Sequence, residues 1–97
     1  MSFKAISWAL NQKLDNPTSK LVLVVLANYA NESNECYPSQ VHIANRCGCS
    51  SRCVMTHIQK LEKKRFLRVI RTRKGLKLHN RYRLNIPDSV GEKSSHN

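Results

Sequence analysis

The chain has 97 residues, a formal net charge of +11, 40% hydrophobic residues and 24% charged ones. That length holds one small domain, or one domain and a tail, and excludes a deep substrate cleft between two lobes; the composition is globular rather than disordered. Seventeen Lys and Arg against six Asp and Glu point to an acidic partner: nucleic acid, an anionic membrane surface or an acidic protein.

At the N-terminus Phe3, Ile6 and Leu10 fall at helical spacing, with Ala9 and Trp8 beside them, so residues 1–14 read as a short helix or an ordered arm. No signal-peptide core is present in residues 1–6, and the longest apolar run, residues 21–27, is far too short to span a bilayer. A cytoplasmic location and no membrane partner are therefore expected. Asn16 is a good N-cap for a helix that places Pro17 at its first position. Residues 21–30 are almost continuously apolar. Their β-branched content admits a buried strand, but a length of about 14 residues from Pro17 and the start signal favour a buried helix. Residues 31–35 form a polar loop, and Cys36-Tyr37 a very short strand ahead of Pro38.

Ser39 then caps a second helix over residues 40–47, which offers Val41, Ile43 and Ala44 for burial. Gly48 breaks it. Ser50 caps a third helix running to Lys64 or Arg65, with Val54, Ile58 and Leu61 inward at i, i+4, i+7. Leu67 and Val69 alternate with Arg68, with Phe66 and Ile70 on the other side, as in a strand. Residues 74–80 form a basic loop opening on the Lys74-Gly75 turn. Tyr82, Leu84 and Ile86 alternate with Arg81, Arg83 and Asn85 as a second strand, which Pro87 ends. Residues 1–87 thus form one domain, and residues 88–97 a polar tail expected to be disordered. The order helix, helix, tight turn, helix, strand, loop, strand is that of a winged helix-turn-helix: mainly α, a three-helix core plus a two-stranded β-hairpin wing.

The charge follows the same division. Residues 1–45 are neutral, with Lys4, Lys13 and Lys20 against Asp15, Glu32 and Glu35. Residues 46–83 hold thirteen Lys and Arg against Glu62 alone, a net of +12. An excess this one-sided repels itself unless an anionic partner uses it.

Residues 40–59 carry the motif. Ala44 is small where two helices meet, Gly48 tolerates positive φ at the turn, and Ile43, Cys47, Cys49, Val54 and Ile58 are apolar on either side. With Lys20-Leu-Val-Leu, Tyr37-Pro38-Ser39-Gln40, Ile43-Ala44, Cys49-Ser50, the Ile58/Leu61 stripe and Asn80-Arg81-Tyr82-Arg83-Leu84, the chain resembles the winged helix-turn-helix domains of plasmid- and phage-encoded replication, stability and regulatory proteins, over roughly residues 5–86. Three positions depart from that family's pattern. Arg65 stands where a Gly usually ends the third helix, and Cys47 and Cys49 flank the turn where larger aliphatics are common.

The resemblance implies a third helix that enters the DNA major groove and a wing that touches the backbone or minor groove. The expected reading residues are Ser50, Ser51, Arg52, Met55, Thr56, Gln59 and Lys60, on the side facing away from Val54, Ile58 and Leu61. Arg52 suits a guanine edge, Gln59 an adenine, Thr56 or Met55 a thymine methyl, and Ser50 and Ser51 a phosphate. Backbone contacts are expected from Ser39 and Gln40 in the second helix and from Arg73, Lys74, Lys77, Asn80 and Arg81 in the wing. The implied function is a sequence-specific double-stranded DNA-binding protein of bacterial plasmid or phage origin. It would be a transcriptional repressor or plasmid stability (segregation) factor on repeated operator sites, as a homodimer or an array, associated with nucleoid or plasmid. The alternatives are the N-terminal module of a replication initiator and, in another class, a zinc-dependent or acidic-protein-binding adaptor.

Other chemistry finds little support. Cys47, Cys49 and Cys53 form C-x-C-x3-C with Cys36 eleven positions earlier, which is not the spacing of a zinc knuckle; burial of Cys47 and Cys49 as small hydrophobes beside the turn accounts for them better. His57 falls near the buried side of its helix, as a packed imidazole rather than a ligand. The carboxylates are scattered, and neither a phosphate loop nor a nucleophile motif occurs, so no enzyme, metal or cofactor is expected.

Overall fold

Helix α2 (Pro17–Asn28) begins where side-chain chemistry dictates: the Asn16 carboxamide oxygen accepts from the backbone N–H of Thr18 at 2.8 Å and of Ser19 at 3.3 Å, and Pro17 occupies the first turn. The computed structural model describes residues 3–75 and 77–87. In chain order it has α1 (Phe3–Asn11), α2, β1 (Glu35–Cys36), α3 (Gln40–Cys47), α4 (Ser51–Lys63), β2 (Leu67–Lys74) and β3 (Lys77–Leu84). This is a winged helix-turn-helix. The expected tail, residues 88–97, lies outside the described residues.

The apolar run of residues 21–30 is helical, and its near-continuous hydrophobicity has a simple cause. Helix α2 is the central post, packed by α1, α3 and α4, so Val22, Leu23, Leu26 and Ala27 are all buried. Helix α1 forms, but on a different face from the one its large residues mark. Ala5, Trp8 and Ala9 are buried, whereas Phe3 is 79% and Leu10 54% exposed. The two alanines let α1 approach α2 closely, and Trp8 reaches past them to meet Phe66 edge-on, with ring centroids 6.4 Å apart.

The helix-turn-helix unit follows the expected chemistry. Ser39 Oγ accepts from the His42 N–H at 3.1 Å, and Ser50 Oγ from the Cys53 N–H at 3.1 Å. Gly48 takes φ +69°, which lets the Cys49 N–H return to the Ala44 carbonyl at 3.1 Å. Ile43 and Ala44 are buried as expected. Val41 is not; it is 61% exposed in the first turn of α3, whose buried residues are Ile43 and Ala44.

The end of α4 resolves the departure at Arg65. The Arg65 N–H bonds to the Glu62 carbonyl and the Phe66 N–H to the Leu61 carbonyl, both at 3.0 Å, while Arg65 itself adopts φ +68°. This is a Schellman termination with arginine in the place glycine favours. The Asn85 side-chain amide donates to the Arg65 carbonyl at 2.6 Å and holds the turn against the sheet. Phe66 therefore belongs to the cap, and β2 starts at Leu67.

The wing is longer than its pattern implies. Strands β2 and β3 pair antiparallel from Leu67↔Leu84 to Lys74↔Lys77, so most of the expected 74–80 loop is strand, and hairpin pairing continues to the tip. Strand β1, expected at residues 36–37, forms at Glu35–Cys36 and pairs with β3, giving the order β1-β3-β2. Cys36, Tyr82, Val69, Leu67 and Leu84 face the helices and close the core. No helix among the described residues is long and apolar enough to cross a membrane.

Candidate nucleic-acid interface

Helix α4 divides cleanly into two faces. Val54, His57, Ile58 and Leu61 are buried against the bundle. Arg52, Thr56, Gln59 and Lys60 are exposed on the opposite face, and Ser51 and Met55 are half-buried at its margin. The seven residues predicted from sequence on and before this helix therefore lie on or beside one surface, with Ser50 exposed at its N-terminal end. Thr56 Oγ1 donates to the Arg52 carbonyl at 3.0 Å, so what Thr56 offers a partner is an acceptor lone pair and a methyl group.

The buried side of α4 is fixed by more than apolar contact. His57 Nδ1 shares a hydrogen bond with Ser19 Oγ of α2 at 2.7 Å, and both residues are nearly enclosed, at 7% and 5% exposure. Burial, then the nearby Lys60 charge, push the His57 pKa below its ordinary 6.5. His57 is thus a neutral packed imidazole that sets the rotation of α4. Helix α3 is tied down in a similar way: His42 Nε2 and the Tyr29 hydroxyl share a hydrogen bond at 2.6 Å, with the rings edge-on. Ser39 is exposed and Gln40 half-buried at the start of that helix.

Strand register sorts the wing residues by face. Leu67, Val69, Arg71 and Arg73 share one face of β2 with Leu84, Tyr82 and Asn80 opposite; Arg68, Ile70 and Thr72 share the other with Arg83 and Arg81. Arg73 is exposed, as are Arg68, Arg71 and Arg83. On the outer face Glu35, Arg83 and Arg68 stand in one row across the three strands. Like charges directly opposite are destabilising, so Arg68 and Arg83 call for a counter-charge that Glu35 alone only half supplies.

Asn80 and Arg81 are less available than the sequence implies. Both are half-buried, and Asn80 Oδ1 is enclosed without a hydrogen-bond partner among the described residues. Arg81 Nε lies 4.0 Å from a Glu35 carboxylate oxygen. The side chains of Lys74 and Lys77 lie outside what the structure describes. Conversely, Arg46 is exposed in the last turn of α3, beside the turn into α4. It escaped the sequence reading because it counted only toward the total charge; its place two residues before the turn glycine was the available signal.

Cys36 is buried and Cys47, Cys49 and Cys53 are half-buried and unpaired, and no group of three or more His, Cys, Asp or Glu among the described residues is placed to hold an ion.

The sequence model of a helix-turn-helix domain family matches residues 16–67, from the α2 cap to the first residue of β2. No curated protein matches the chain. Among solved structures, the crystal structure of NolR from Sinorhizobium fredii is similar, with a TM-score of 0.48 and 22% identity over 94% of this chain and 79% of that one.

Proposed function

Because the chain belongs to this helix-turn-helix domain family, we propose that it binds double-stranded DNA sequence-specifically, as a plasmid- or phage-encoded transcriptional repressor or plasmid stability factor on repeated operator sites. The observation that carries this reading is the exposed face of α4: Arg52, Thr56, Gln59 and Lys60 project from one side of a helix whose other side is locked to the core. Such a helix lies in the major groove and reads base edges with its N-terminal half. Arg52 takes a guanine edge bidentately, worth about 1–3 kcal/mol of discrimination. Ser50 and Ser51, with the unpaired N–H groups of the first turn, take a phosphate. Ser39 and Gln40, and from the wing Arg73, Lys74, Lys77, Asn80 and Arg81, hold the backbone, joined by Arg46 from α3.

Fluorescence-anisotropy titration against duplexes from the DNA flanking the gene, chosen by footprinting, tests the proposal. Six to eight phosphate contacts give a slope of log K against log salt of roughly −5 to −7. Arg52→Ala is expected to relax sequence preference, and Lys77→Ala to weaken all sequences alike. If neither variant changes binding, the assignment of surfaces is wrong; if no duplex binds at low salt, the chain is an adaptor for an acidic protein instead.

A further inference from the structure

Helix α1 turns its larger apolar residues away from the core. Phe3, Ile6, Ser7 and Leu10 stand at i, i+3, i+4 and i+7 and form one outer stripe, while Ala5, Trp8 and Ala9 take the inner side. Helix α2 repeats the pattern. Leu21, Val24, Val25 and Asn28 stand at the same spacing, across the helix from Ser19, which faces α4. The two stripes meet: Ile6 of α1 and Val24, Val25 and Asn28 of α2 line one groove of about 330 Å³, with Tyr29 and Arg46 completing its wall. Phe3 and Leu10 stand mostly in solvent, and Leu21 is 42% exposed. Six apolar side chains thus share an outer face, and neither stripe holds an ionised group. A contiguous patch on the order of a few hundred Å² marks an interaction surface, where apolar residues scattered singly do not.

We propose that this α1–α2 face is the interface of a homodimer, two copies of the chain related by a twofold axis. The distribution of charge selects a second copy as the occupant. A partner drawn by charge goes to residues 46–83, which carry +12, and not to a face without ions. Two chains of +11 repel wherever those basic residues meet, whereas residues 1–45, which hold both stripes, are neutral in sum. The relief of the face selects the same occupant. It has projections, Phe3 and Leu10, and a groove with room for a side chain, so a twofold pairing sets the projections of each copy against the recess of the other. Two short helices offer on the order of 500 Å² per copy, near the lower end of specific interfaces, so the pair forms reversibly in the micromolar range. Because α4 packs on the other side of α2, each copy keeps the exposed face of α4 open. The pairing does not depend on DNA.

Sedimentation equilibrium of the full chain, without DNA, from about 1 to about 300 μM tests the proposal. The weight-average mass is expected to rise from that of one chain to that of two and to stop there. Raising salt from about 0.1 M to about 1 M shortens the screening length from about 10 Å to about 3 Å, so the dissociation constant is expected to fall by roughly threefold or more, opposite in sign to the salt effect on DNA binding. Leu10→Lys and Leu21→Lys each place an unpaired ammonium in the interface and are expected to weaken pairing about tenfold or more. Both positions are exposed, and circular dichroism melts are expected to match the parent at low concentration. Val41→Lys adds the same charge at an exposed apolar residue on the side of α3 away from Arg46, and is expected to leave the dimer intact. A single-chain mass across the whole range overturns the proposal. So does a dimer that survives both Leu10→Lys and Leu21→Lys, one that Val41→Lys dissociates, or a mass that climbs past two chains. None of these results touches the DNA-binding reading, which the duplex titrations decide separately.

Discussion

Ser19→Ala removes one oxygen atom from the contact that fixes the rotation of α4. The Ser19 hydroxyl and His57 Nδ1 meet at 2.7 Å, between α2 and α4, with 5% and 7% of the two residues exposed. Without the hydroxyl the imidazole nitrogen is buried and unpaired, which costs about 1–3 kcal/mol. Alanine returns about 0.5 kcal/mol of helix propensity in α2. A net loss of about 1.5 kcal/mol lowers the melting temperature of a domain this size by roughly 6–12 °C. Urea and thermal unfolding, followed by far-ultraviolet circular dichroism well above pH 6.5, supply the value. The same measurement on His57→Leu and on the double variant closes a cycle. In the double variant no orphan nitrogen remains, so the two single losses exceed the combined loss by about 1 kcal/mol or more. Additivity to within about 0.3–0.5 kcal/mol would refute the pairing as the source of the effect.

Three further outcomes are expected. Because burial and Lys60 lower the folded pKa of His57 below 6.5, the unfolded chain takes up its proton first as pH falls; this share of stability is full above pH 6.5 and is lost as pH drops through the folded value. Urea midpoints between about pH 8 and about pH 5 record the loss, and His57→Leu removes it. Gly48→Ala meets no atom within 4 Å but forces a Cβ onto φ +69°, so unfolding is expected to show about 1–2 kcal/mol lost to backbone strain alone, and less for Gly48→Asn. Arg65→Gly has the opposite sign: at φ +68° the arginine bears that strain, and after the added flexibility of the unfolded chain about 0.5–1 kcal/mol of net stabilisation remains for denaturant titration to detect.

The parts legible in sequence are those written in local chemistry. Asn16-Pro17, Ser39, Gly48 and Ser50 each fix a helix boundary through a bond made within a few residues, and all four boundaries fall where the residues place them. Two features decided by distant contacts were misread. The inward face of α1 is chosen by how closely Ala5 and Ala9 admit α2, which no count of large residues in α1 contains. The length of the wing is set by cross-strand pairing out to Lys74↔Lys77, invisible in a stretch whose basic residues resemble a loop. The candidate site divides the same way. The face of α4 follows from helical period, whereas the retreat of Arg81 toward Glu35 depends on β1 joining β3, a pairing between residues nearly fifty positions apart.

The sheet order leaves β2 with one side unpaired. An eight-residue edge bearing Leu67, Val69 and Ile70 is the kind of strand that recruits a second copy of itself and begins a fibril. Arg68, Arg71 and Arg73 stand exposed on that edge and turn such a copy away. Arg73, proposed to meet phosphate, therefore also acts with Arg68 and Arg71 as a gatekeeper against aggregation. Neutralising them, by substitution or by concentrated salt, is expected to cost colloidal solubility along with affinity, so light scattering belongs beside every binding curve measured on a wing variant.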